Sequence, residues 1–142
     1  MDIIQISPQE HRLVKGFLDI AGADTLKQFR YFNTRPLEVM KNHLATFIIR
    51  HQEQSIAYGH LDQEDGITWL GIAIANDFQG QGLGTLMMTH LLTFARLHEV
   101  AAIKLSVDTD NVSAIPLYRK FGFVETNRTE KVVFMEWGLK AD

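Results

Sequence analysis

Apolar and polar positions alternate along the chain with two different periods. Between residues 13 and 21 the apolar positions recur at helical spacing, and residues 25–32 form a second predicted helix. Residues 44–50 and 55–61 are short β-prone runs that a polar segment separates. This arrangement predicts a β-hairpin after the two helices.

The second half of the chain predicts one buried helix among strands. Residues 67–75 are almost wholly apolar, which is typical of a central strand covered on both faces. Leu83–Leu97 carries its polar residues on one narrow stripe, so this segment is predicted to be a largely buried helix. Residues 103–108 alternate like a strand, residues 113–120 suit a short helix, and residues 132–137 suit a closing strand.

The resulting order is strand, two helices, three strands, helix, strand, helix and strands, which predicts a mixed α/β sheet. A chain of 142 residues is the size of one domain. It has three prolines, none of them in a linker-like tract, and no internal repeat. We therefore expect residues 1–142 to form a single domain.

Composition and charge exclude several classes of protein. The chain is 46% hydrophobic and 22% charged, as is ordinary for a globular domain, and its net charge of −3 provides no basic field for nucleic acid. Without cysteine there is no disulfide, thiolate metal site or cysteine nucleophile, and the six histidines form no HxxxH or HExxH pattern, so no metal is expected. No leader sequence and no membrane-spanning run are found, so a cytoplasmic protein without membrane partners is expected.

Three glycines, Gly80, Gly82 and Gly84, stand at alternate positions between the predicted strand 67–75 and the predicted helix Leu83–Leu97. The first turn of a helix has free NH groups and a partial positive charge, which attract phosphate. Glycines remove the β-carbons that would keep a phosphate away from this backbone. The segment therefore indicates a binding site for a phosphorylated ligand, or, as the alternative, a tight strand-to-helix turn.

Two common phosphate-binding loops do not fit this segment. The Walker sequence needs lysine after its spacer, and no lysine occurs between residues 78 and 98. The dinucleotide fingerprint GxGxxG needs a third glycine where Thr85 or Met87 stands. What remains is a pattern of the form QxxGxG.

A second motif, NVSAIPLYRKFGF at residues 111–123, follows the glycine segment QGQGLG at residues 79–84. With the apolar strand before the glycines and the helix after them, this combination resembles the GCN5-related N-acetyltransferase (GNAT) superfamily. The resemblance extends from about residue 55 to the C-terminus. It implies an α/β (α+β) fold with a mixed, mostly antiparallel central sheet flanked by about four helices. It also implies an N-acetyltransferase that uses acetyl-CoA.

In this superfamily the glycine loop binds the pyrophosphate of CoA, and the preceding strand pairs with the pantetheine arm. A common asparagine reaches the same arm, and a frequent tyrosine lies near the thioester sulfur. Carried onto this sequence, the implied acetyl-CoA-binding residues are Ile72, Ile74, Gln79, Gly80, Gln81, Gly82, Leu83, Gly84, Thr85, Asn111 and Tyr118.

The resemblance makes Tyr118 the general acid that protonates the departing thiolate. A tyrosine titrates near 10 and a thiol near 8.5, so full proton transfer would be uphill by about 2 kcal/mol unless it is concerted with C–S cleavage. Tyr118 is therefore useful only if it is held close to the sulfur. The alternative is a core aromatic residue beside Phe121 and Phe123.

The general base is less clearly marked. Some protein-lysine acetyltransferases of the superfamily carry glutamate on the strand before the glycine loop, where this chain has Thr68. An amine with a pKa near 10.4 is only about 0.04% neutral at pH 7, whereas one titrating near 8 is about 10% neutral, which favours an acceptor of lowered pKa. His60 is the candidate base, with Asp62 and Glu136 as alternatives. The other interpretation of His60 is a histidine whose ring forms a hydrogen bond within the sheet and has no catalytic role.

Phe29, Arg30 and Tyr31 lie in the region where this superfamily shapes its acceptor pocket, and they suit an anionic or sugar-containing acceptor. An amphipathic helix with solvated arginines is the alternative. The predicted reaction is direct attack of a small primary amine, such as an amino sugar, a nucleotide-linked amino sugar or an amino acid, on the thioester. Protein or peptide N-acetylation and a non-catalytic acyl-CoA sensor stay as alternatives. A homodimer through residues 132–137 is also compatible with the sequence.

Overall fold

The computed structural model describes residues 1–138, and its strands form one seven-stranded sheet in the order β1-β2-β3-β4-β5-β7-β6. All neighbouring strands are antiparallel except β4 and β5, which are parallel. The mixed, mostly antiparallel sheet expected from the sequence is confirmed. The strands are β1 (Asp2–Gln5), β2 (His43–His51), β3 (Gln54–Glu64), β4 (Ile67–Ile74), β5 (Ala102–Asp108), β6 (Val124–Arg128) and β7 (Val132–Gly138).

Four α-helices lie among residues 1–138, as the resemblance implied. Within the same residues no helix is both long enough and apolar enough to cross a bilayer. The α-helices are α1 (His11–Ile20), α2 (Ala23–Gln28), α3 (Leu83–Leu97) and α4 (Ala114–Lys120), and short 3-10 turns cover Pro8–Glu10, Tyr31–Asn33, Leu37–Asn42 and Asn76–Phe78.

The hairpin of β2 and β3 lies inside the sheet, between β1 and β4, and is covered on both faces. Its two turn residues, Gln52 and Glu53, both have positive φ, which suits a tight turn between strands with the usual right-handed twist. Val14 and Phe17 of α1 pack on one face, together with Tyr58 of β3. The long helix α3 packs on the other face, and a β-carbon on Gly59 would lie 2.5 Å from the sulfur of its Met87. The core therefore has two layers with β3 between them.

The predicted helix over residues 25–32 is wrong in its second half. Helix α2 ends at Gln28 because Phe29 adopts an extended backbone, with φ −114° and ψ 98°. This turn lets the Phe29 ring pack 5.4 Å from the ring of Tyr58 and 6.2 Å from that of Phe32. Packing of aromatic rings onto the sheet thus overrides the local helical pattern.

The C-terminal strand pair differs from the expected arrangement. Strand β7 lies between β5 and β6, and β6, which the sequence did not locate, forms the exposed edge. A strand-to-strand homodimer through residues 132–137 therefore has no free edge to use, because β5 and β6 occupy both sides of β7. Strands β1 and β6 are the edges of this sheet.

Candidate active site

Strands β4 and β5 separate soon after they meet. Among residues 1–138 they pair at one position, Trp69 with Lys104, whereas β3 stays paired with β4 as far as Ile74. A cavity of about 490 Å³ occupies the gap. The predicted site residues that line it are Phe29, Ile72, Ile74, Gln79, Gly80, Gly82, Leu83, Gly84, Thr85, Asn111 and Tyr118.

On its side away from β3, the end of β4 faces this cavity without a neighbouring strand. The NH of Ala75 donates to the carbonyl of Ile56 at 2.9 Å, and in an antiparallel pair the residues that bond across the ladder alternate with residues that point away. By this alternation the peptide groups of Ile72 and Ile74 point away from β3. The hydroxyl of Thr25 donates to the Ile74 carbonyl at 2.7 Å from that other side. A ligand with amide groups can therefore bind along β4 where a strand would otherwise lie.

A short 3-10 turn, Asn76–Phe78, follows β4. The glycine loop, defined here as residues 79–85, comes next and continues into the first turn of α3. Gly80 and Gly82 have φ of +77° and +82°, and a β-carbon at either position would meet nothing within 4 Å. Gly82 directly precedes α3, so the free NH groups of the first helical turn begin there. These groups and the helix dipole suit an anion such as a phosphate.

The third glycine serves a different purpose. A β-carbon on Gly84 would lie 2.9 Å from the Leu117 side chain of α4. Gly84 therefore lets α3 and α4 approach each other, and this approach brings the helix that carries Tyr118 to the wall of the cavity.

Gln79 and Asn111 line the cavity, but their side chains also hold the chain in place. The Gln79 amide donates to the Thr25 hydroxyl at 3.1 Å and to the Ile74 carbonyl at 3.3 Å, which ties α2 to the end of β4. The Asn111 side-chain oxygen accepts from the NH of Ala114 at 3.3 Å, at the start of α4. Gln81 does not line the cavity.

Tyr118 is both a core residue and a cavity residue, so the two interpretations of its sequence position are compatible. Its ring lies 6.0 Å from that of Phe123, which fixes its orientation, while its side chain lines the cavity. Burial raises the pKa of its phenol above the usual range. Burial alone shifts this pKa, with no contribution from a hydrogen bond within residues 1–138, so the hydroxyl is available to a ligand in the cavity.

His60 does not line the cavity, but it contacts the strand that does. Its ring is buried on β3, and its Nδ1 lies 2.6 Å from the Tyr58 hydroxyl. Burial, followed by the nearby His43 and Arg35, lowers its pKa well below the ordinary value. A β-carbon on Gly71, its cross-strand neighbour, would lie 2.5 Å from its Nε2. Gly71 itself lines the cavity.

A second set of polar groups continues from His60 along the same face of the sheet. The Tyr31 hydroxyl donates to Asp62 Oδ2 at 2.7 Å and lies 2.9 Å from His43 Nε2, and the other nitrogen of His43 lies 2.8 Å from the Thr46 hydroxyl. His43 is buried, and this burial lowers its pKa to about 4. We call Tyr31, His43, Tyr58, His60 and Asp62 together the histidine cluster.

The three predicted acceptor residues are therefore separated by the fold. Phe29 lines the cavity, and the guanidinium of Arg30 donates two hydrogen bonds of 2.9 Å to the Asp108 carboxylate at the end of β5. Tyr31 points into the histidine cluster. Among the alternative bases, Asp62 is buried in the same cluster and Glu136 lies opposite Lys104 in the sheet.

Sequence reasoning missed several polar residues on the cavity wall. One of them, Gln28, extends across the opening of the cavity, and its side-chain amide donates to the Asp110 carboxylate at 3.3 Å. Polar residues on a short helix and in a loop look like ordinary solvated positions, so no local signal marks them. Within residues 1–138 no group of three His, Cys, Asp or Glu side chains is placed to hold a metal ion. The missed residues are Asp24, Thr25, Gln28, Ser106, Asp110 and Ser113.

Comparisons with known proteins give a consistent picture. A sequence model described as the acetyltransferase (GNAT) family matches residues 11–123. The chain is 39% identical over 61 residues to the ribosomal protein bS18-alanine N-acetyltransferase of Escherichia coli K12, which covers 43% of this chain and 41% of that protein. It is 39% identical over 64 residues to the spermine/spermidine N(1)-acetyltransferase of Bacillus subtilis 168, which covers 44% and 42%. The matches thus span about two-fifths of these curated relatives.

A solved structure adds support for the fold. The N-acetyltransferase of Thermoplasma acidophilum, in complex with coenzyme A, superposes with a TM-score of 0.76 over 97% of this chain and 98% of that chain. Its sequence identity is 11%, so the similarity is one of fold.

Proposed function

The chain belongs to the acetyltransferase (GNAT) family, and we propose that it transfers an acetyl group from acetyl-CoA to the primary amine of a small molecule. The observation that carries the proposal is that no strand pairs with the backbone of Ile72 and Ile74 on the side that borders the same cavity as the glycine loop and Tyr118. That cavity combines a site for phosphate, a strand edge for amide groups and a proton donor. These are the groups that a CoA thioester requires.

The described residues fit acetyl-CoA. The NH groups that follow Gly80 and Gly82 would hold the pyrophosphate, because these glycines leave open space beside the backbone. The peptide groups of Ile72 and the NH of Ile74 would hold the pantetheine amides as a neighbouring strand does. Gln79, Thr85 and Asn111 line the same wall. Acetyl-CoA supplies an acyl group that is activated by its thiolate leaving group.

The reaction is a direct acyl transfer. The neutral acceptor nitrogen attacks the thioester carbon and forms the new C–N bond, while the π electrons of the carbonyl move onto its oxygen. When the carbonyl re-forms, the C–S bond breaks and the sulfur takes the proton of the Tyr118 hydroxyl. The proton that the nitrogen loses restores Tyr118 through water, so that the products are an amide and free CoA.

The environment of Tyr118 constrains the timing of that proton transfer. Its phenol titrates above its usual range because it is buried, which makes it a weaker acid than an exposed tyrosine. Proton transfer from Tyr118 to a fully formed thiolate would therefore be uphill by more than the about 2 kcal/mol expected for an ordinary tyrosine and thiol. Proton transfer must accompany C–S cleavage.

A small acceptor is favoured by the shape of the opening. Arg30 and Gln28 form hydrogen bonds with Asp108 and Asp110, and these bonds link the end of α2 to the segment after β5 across the cavity. The bridge narrows the entrance, which favours a compact amine such as an amino sugar, a nucleotide-linked amino sugar or an amino acid. Phe29 and Arg30 would contact such a molecule.

A protein N-terminus is the second candidate acceptor. The Escherichia coli relative is named for acetylating an alanine of a ribosomal protein, and an extended peptide end can also pass a narrow entrance. The name of the Bacillus relative points instead to polyamines. A non-catalytic sensor of acyl-CoA is a third candidate.

The test is release of free CoA from acetyl-CoA across a panel of amino sugars, nucleotide-linked amino sugars, amino acids, polyamines and peptides. We expect turnover with one class of small amine and a kcat about 100-fold lower in Tyr118→Phe, because general acid catalysis contributes at least this much. The Kd for acetyl-CoA should be the same in both proteins.

Each other outcome points elsewhere. Turnover with peptides alone would select the second candidate, and equal kcat in Tyr118→Phe would remove the proposed acid. Tight acetyl-CoA binding without turnover would favour the sensor, and absence of binding would overturn the proposal.

A further inference from the structure

The two nitrogens of the His60 ring face different parts of the structure. Nδ1 lies 2.6 Å from the hydroxyl of Tyr58, whose side chain is fully buried. The opposite edge of the ring, Nε2 and Cε1, lies over Gly71: a β-carbon at that glycine would be 2.5 Å and 2.7 Å from these atoms. Because Gly71 has no side chain, this edge of the ring lies directly beside a residue that lines the cavity.

The partner of Nδ1 determines where the proton of the neutral ring lies. Within residues 1–138 the Tyr58 hydroxyl has one hydrogen-bond partner, which is this nitrogen. A buried phenol without an acceptor for its proton would be costly, so the hydroxyl donates and Nδ1 accepts. The single proton of a neutral His60 is then on Nε2, the nitrogen over Gly71.

The ring also stays neutral at ordinary pH. Burial lowers the pKa of His60 well below its usual value, and burial raises the pKa of Tyr58, so neither group changes its proton in the neutral range. Within residues 1–138 the hydrogen bond found for the ring is that of Nδ1, which leaves Nε2 to a ligand. It is thus a free N–H donor beside Gly71, which lines the cavity.

We propose that His60 donates its Nε2–H to the thioester carbonyl oxygen and does not act as the general base. This inference rests on the proposed function, and it revises the role predicted from the sequence. Its Nε2 has no lone pair to accept the amine proton in the tautomer that Tyr58 imposes. The proton that the attacking nitrogen loses therefore goes to water. Because no protein base deprotonates the acceptor, the acceptor must already be a neutral amine when it attacks.

The donor acts where negative charge develops. During attack of the nitrogen, the carbonyl π electrons move onto oxygen, and fixed N–H donors stabilise that charge. The NH of Ile72, which follows Gly71 and points away from β3, supplies a second donor beside the first. A side-chain N–H and a backbone N–H from adjoining strands would then form the oxyanion site.

The first test needs no substrate. Two-bond ¹H–¹⁵N spectra of the full chain labelled at histidine distinguish the two neutral tautomers, and His60→Gln identifies the His60 signals. We expect the proton on Nε2 in the wild type and a mixture of tautomers in Tyr58→Phe. A wild-type ring protonated at Nδ1 would overturn the inference and restore the base.

The second test observes the bound carbonyl. The infrared C=O band of ¹³C-carbonyl acetyl-CoA should lie at lower frequency in the wild type and in His60→Gln, which retains an N–H donor, than in His60→Leu. His43→Gln, which alters a buried histidine of the same cluster that points at Tyr31, is the matched control and should leave the band unchanged. Equal bands in wild type and His60→Leu would overturn the inference.

Kinetics then separate donor from base. We expect kcat to fall about 100-fold in His60→Leu, as on removal of one oxyanion donor, and to stay within about tenfold of wild type in His60→Gln. Equal losses in the two variants would indicate a base. If wild type fails to bind acetyl-CoA, the proposed function itself fails, whereas binding with an unaltered band removes only the role of His60.

Discussion

The glycine loop and the histidine cluster border the same strand but are built in opposite ways. The loop is one continuous segment whose chemistry lies in backbone NH groups, and its two positive-φ glycines are open to solvent. The cluster is assembled from side chains of three separate segments, and its members His43, His60 and Asp62 are buried. Backbone sites tolerate exposure because water can satisfy their groups, whereas a buried polar cluster requires every partner to be in place. Changes in the loop should therefore affect binding, and changes in the cluster should affect stability.

The largest effect is expected from filling the loop. Gly82→Trp should weaken CoA binding at least about 1000-fold, because loss of several charge-assisted hydrogen bonds amounts to about 4 kcal/mol or more. The fold should survive, since a β-carbon at Gly82 meets nothing within 4 Å. Isothermal titration with CoA measures this change.

Gly66→Trp is the matched control for that variant. Gly66 also has positive φ, at +78°, and open space around it, but it lies in the turn between β3 and β4 and does not line the cavity. It should incur the same backbone strain and keep its CoA affinity. Equal affinities of the two folded variants would contradict the assignment of the loop.

The next largest effect is a pH dependence of stability from the cluster. His43 titrates at about 4 in the folded protein, because it is buried, and near 6.5 when unfolded. Between these values the unfolded chain binds more protons, so the free energy of unfolding should fall as the pH is lowered from 6.5 to 4. The loss from His43 is about 3 kcal/mol, measured by urea unfolding at several pH values.

Two variants isolate this contribution. His43→Gln should make the dependence between pH 6.5 and 4 less steep and leave the part due to His60, whose pKa burial also lowers, whereas His11→Gln, at an exposed position, should leave it unchanged. A slope in His43→Gln equal to that of wild type would show that other groups cause the effect.

A smaller loss of stability is expected from Tyr31→Phe. This change removes the hydroxyl that donates to Asp62 Oδ2, and Oδ1 of the same buried carboxyl already lacks a hydrogen-bond partner among the described residues. The free energy of unfolding should fall by about 2 kcal/mol. The double variant Tyr31→Phe with Asp62→Leu should regain part of it, because the buried carboxyl is then no longer left without a partner. Additive losses would contradict this explanation.

The smallest effect on stability is expected at the bridge over the cavity. Arg30→Met breaks a half-exposed ion pair with Asp108, so the free energy of unfolding should change by less than about 1 kcal/mol. If Arg30 contacts the acceptor, the KM for the acceptor should rise in Arg30→Met, while the Kd for acetyl-CoA stays constant. Arg12→Met, at an exposed position of α1, is the control for loss of one positive charge. Equal acceptor KM values in both variants would remove Arg30 from the acceptor site.

The same contrast explains what the sequence could predict. The glycine loop was predictable because a strand, glycines and a helix follow one another directly, and helix α3 was predicted with its observed bounds. Tyr118 was reachable through the motif on α4. Each of these signals lies within one short segment, where local geometry determines the backbone.

The histidine cluster could not be predicted in this way. Tyr31 lies 31 residues from Asp62 in sequence, and their contact depends on α2 ending at Gln28. That ending is caused by packing of the Phe29 ring on the sheet, which no helical periodicity reveals. The difference between Gly82, which faces open space, and Gly84, which faces Leu117, is likewise a tertiary property.

The single pairing of Trp69 with Lys104 leaves a strand position open along β4, where the peptide groups of Ile72 would contact the pantetheine arm. Under the proposed function, acetyl-CoA and free CoA share all of these contacts, so the contacts bind reactant and product uniformly and cannot distinguish them. Product inhibition is then inherent in the open strand position. The rate of acetylation would depend on the ratio of acetyl-CoA to CoA, because the two molecules differ only in the acetyl group, and only the few protein atoms that contact this group distinguish them.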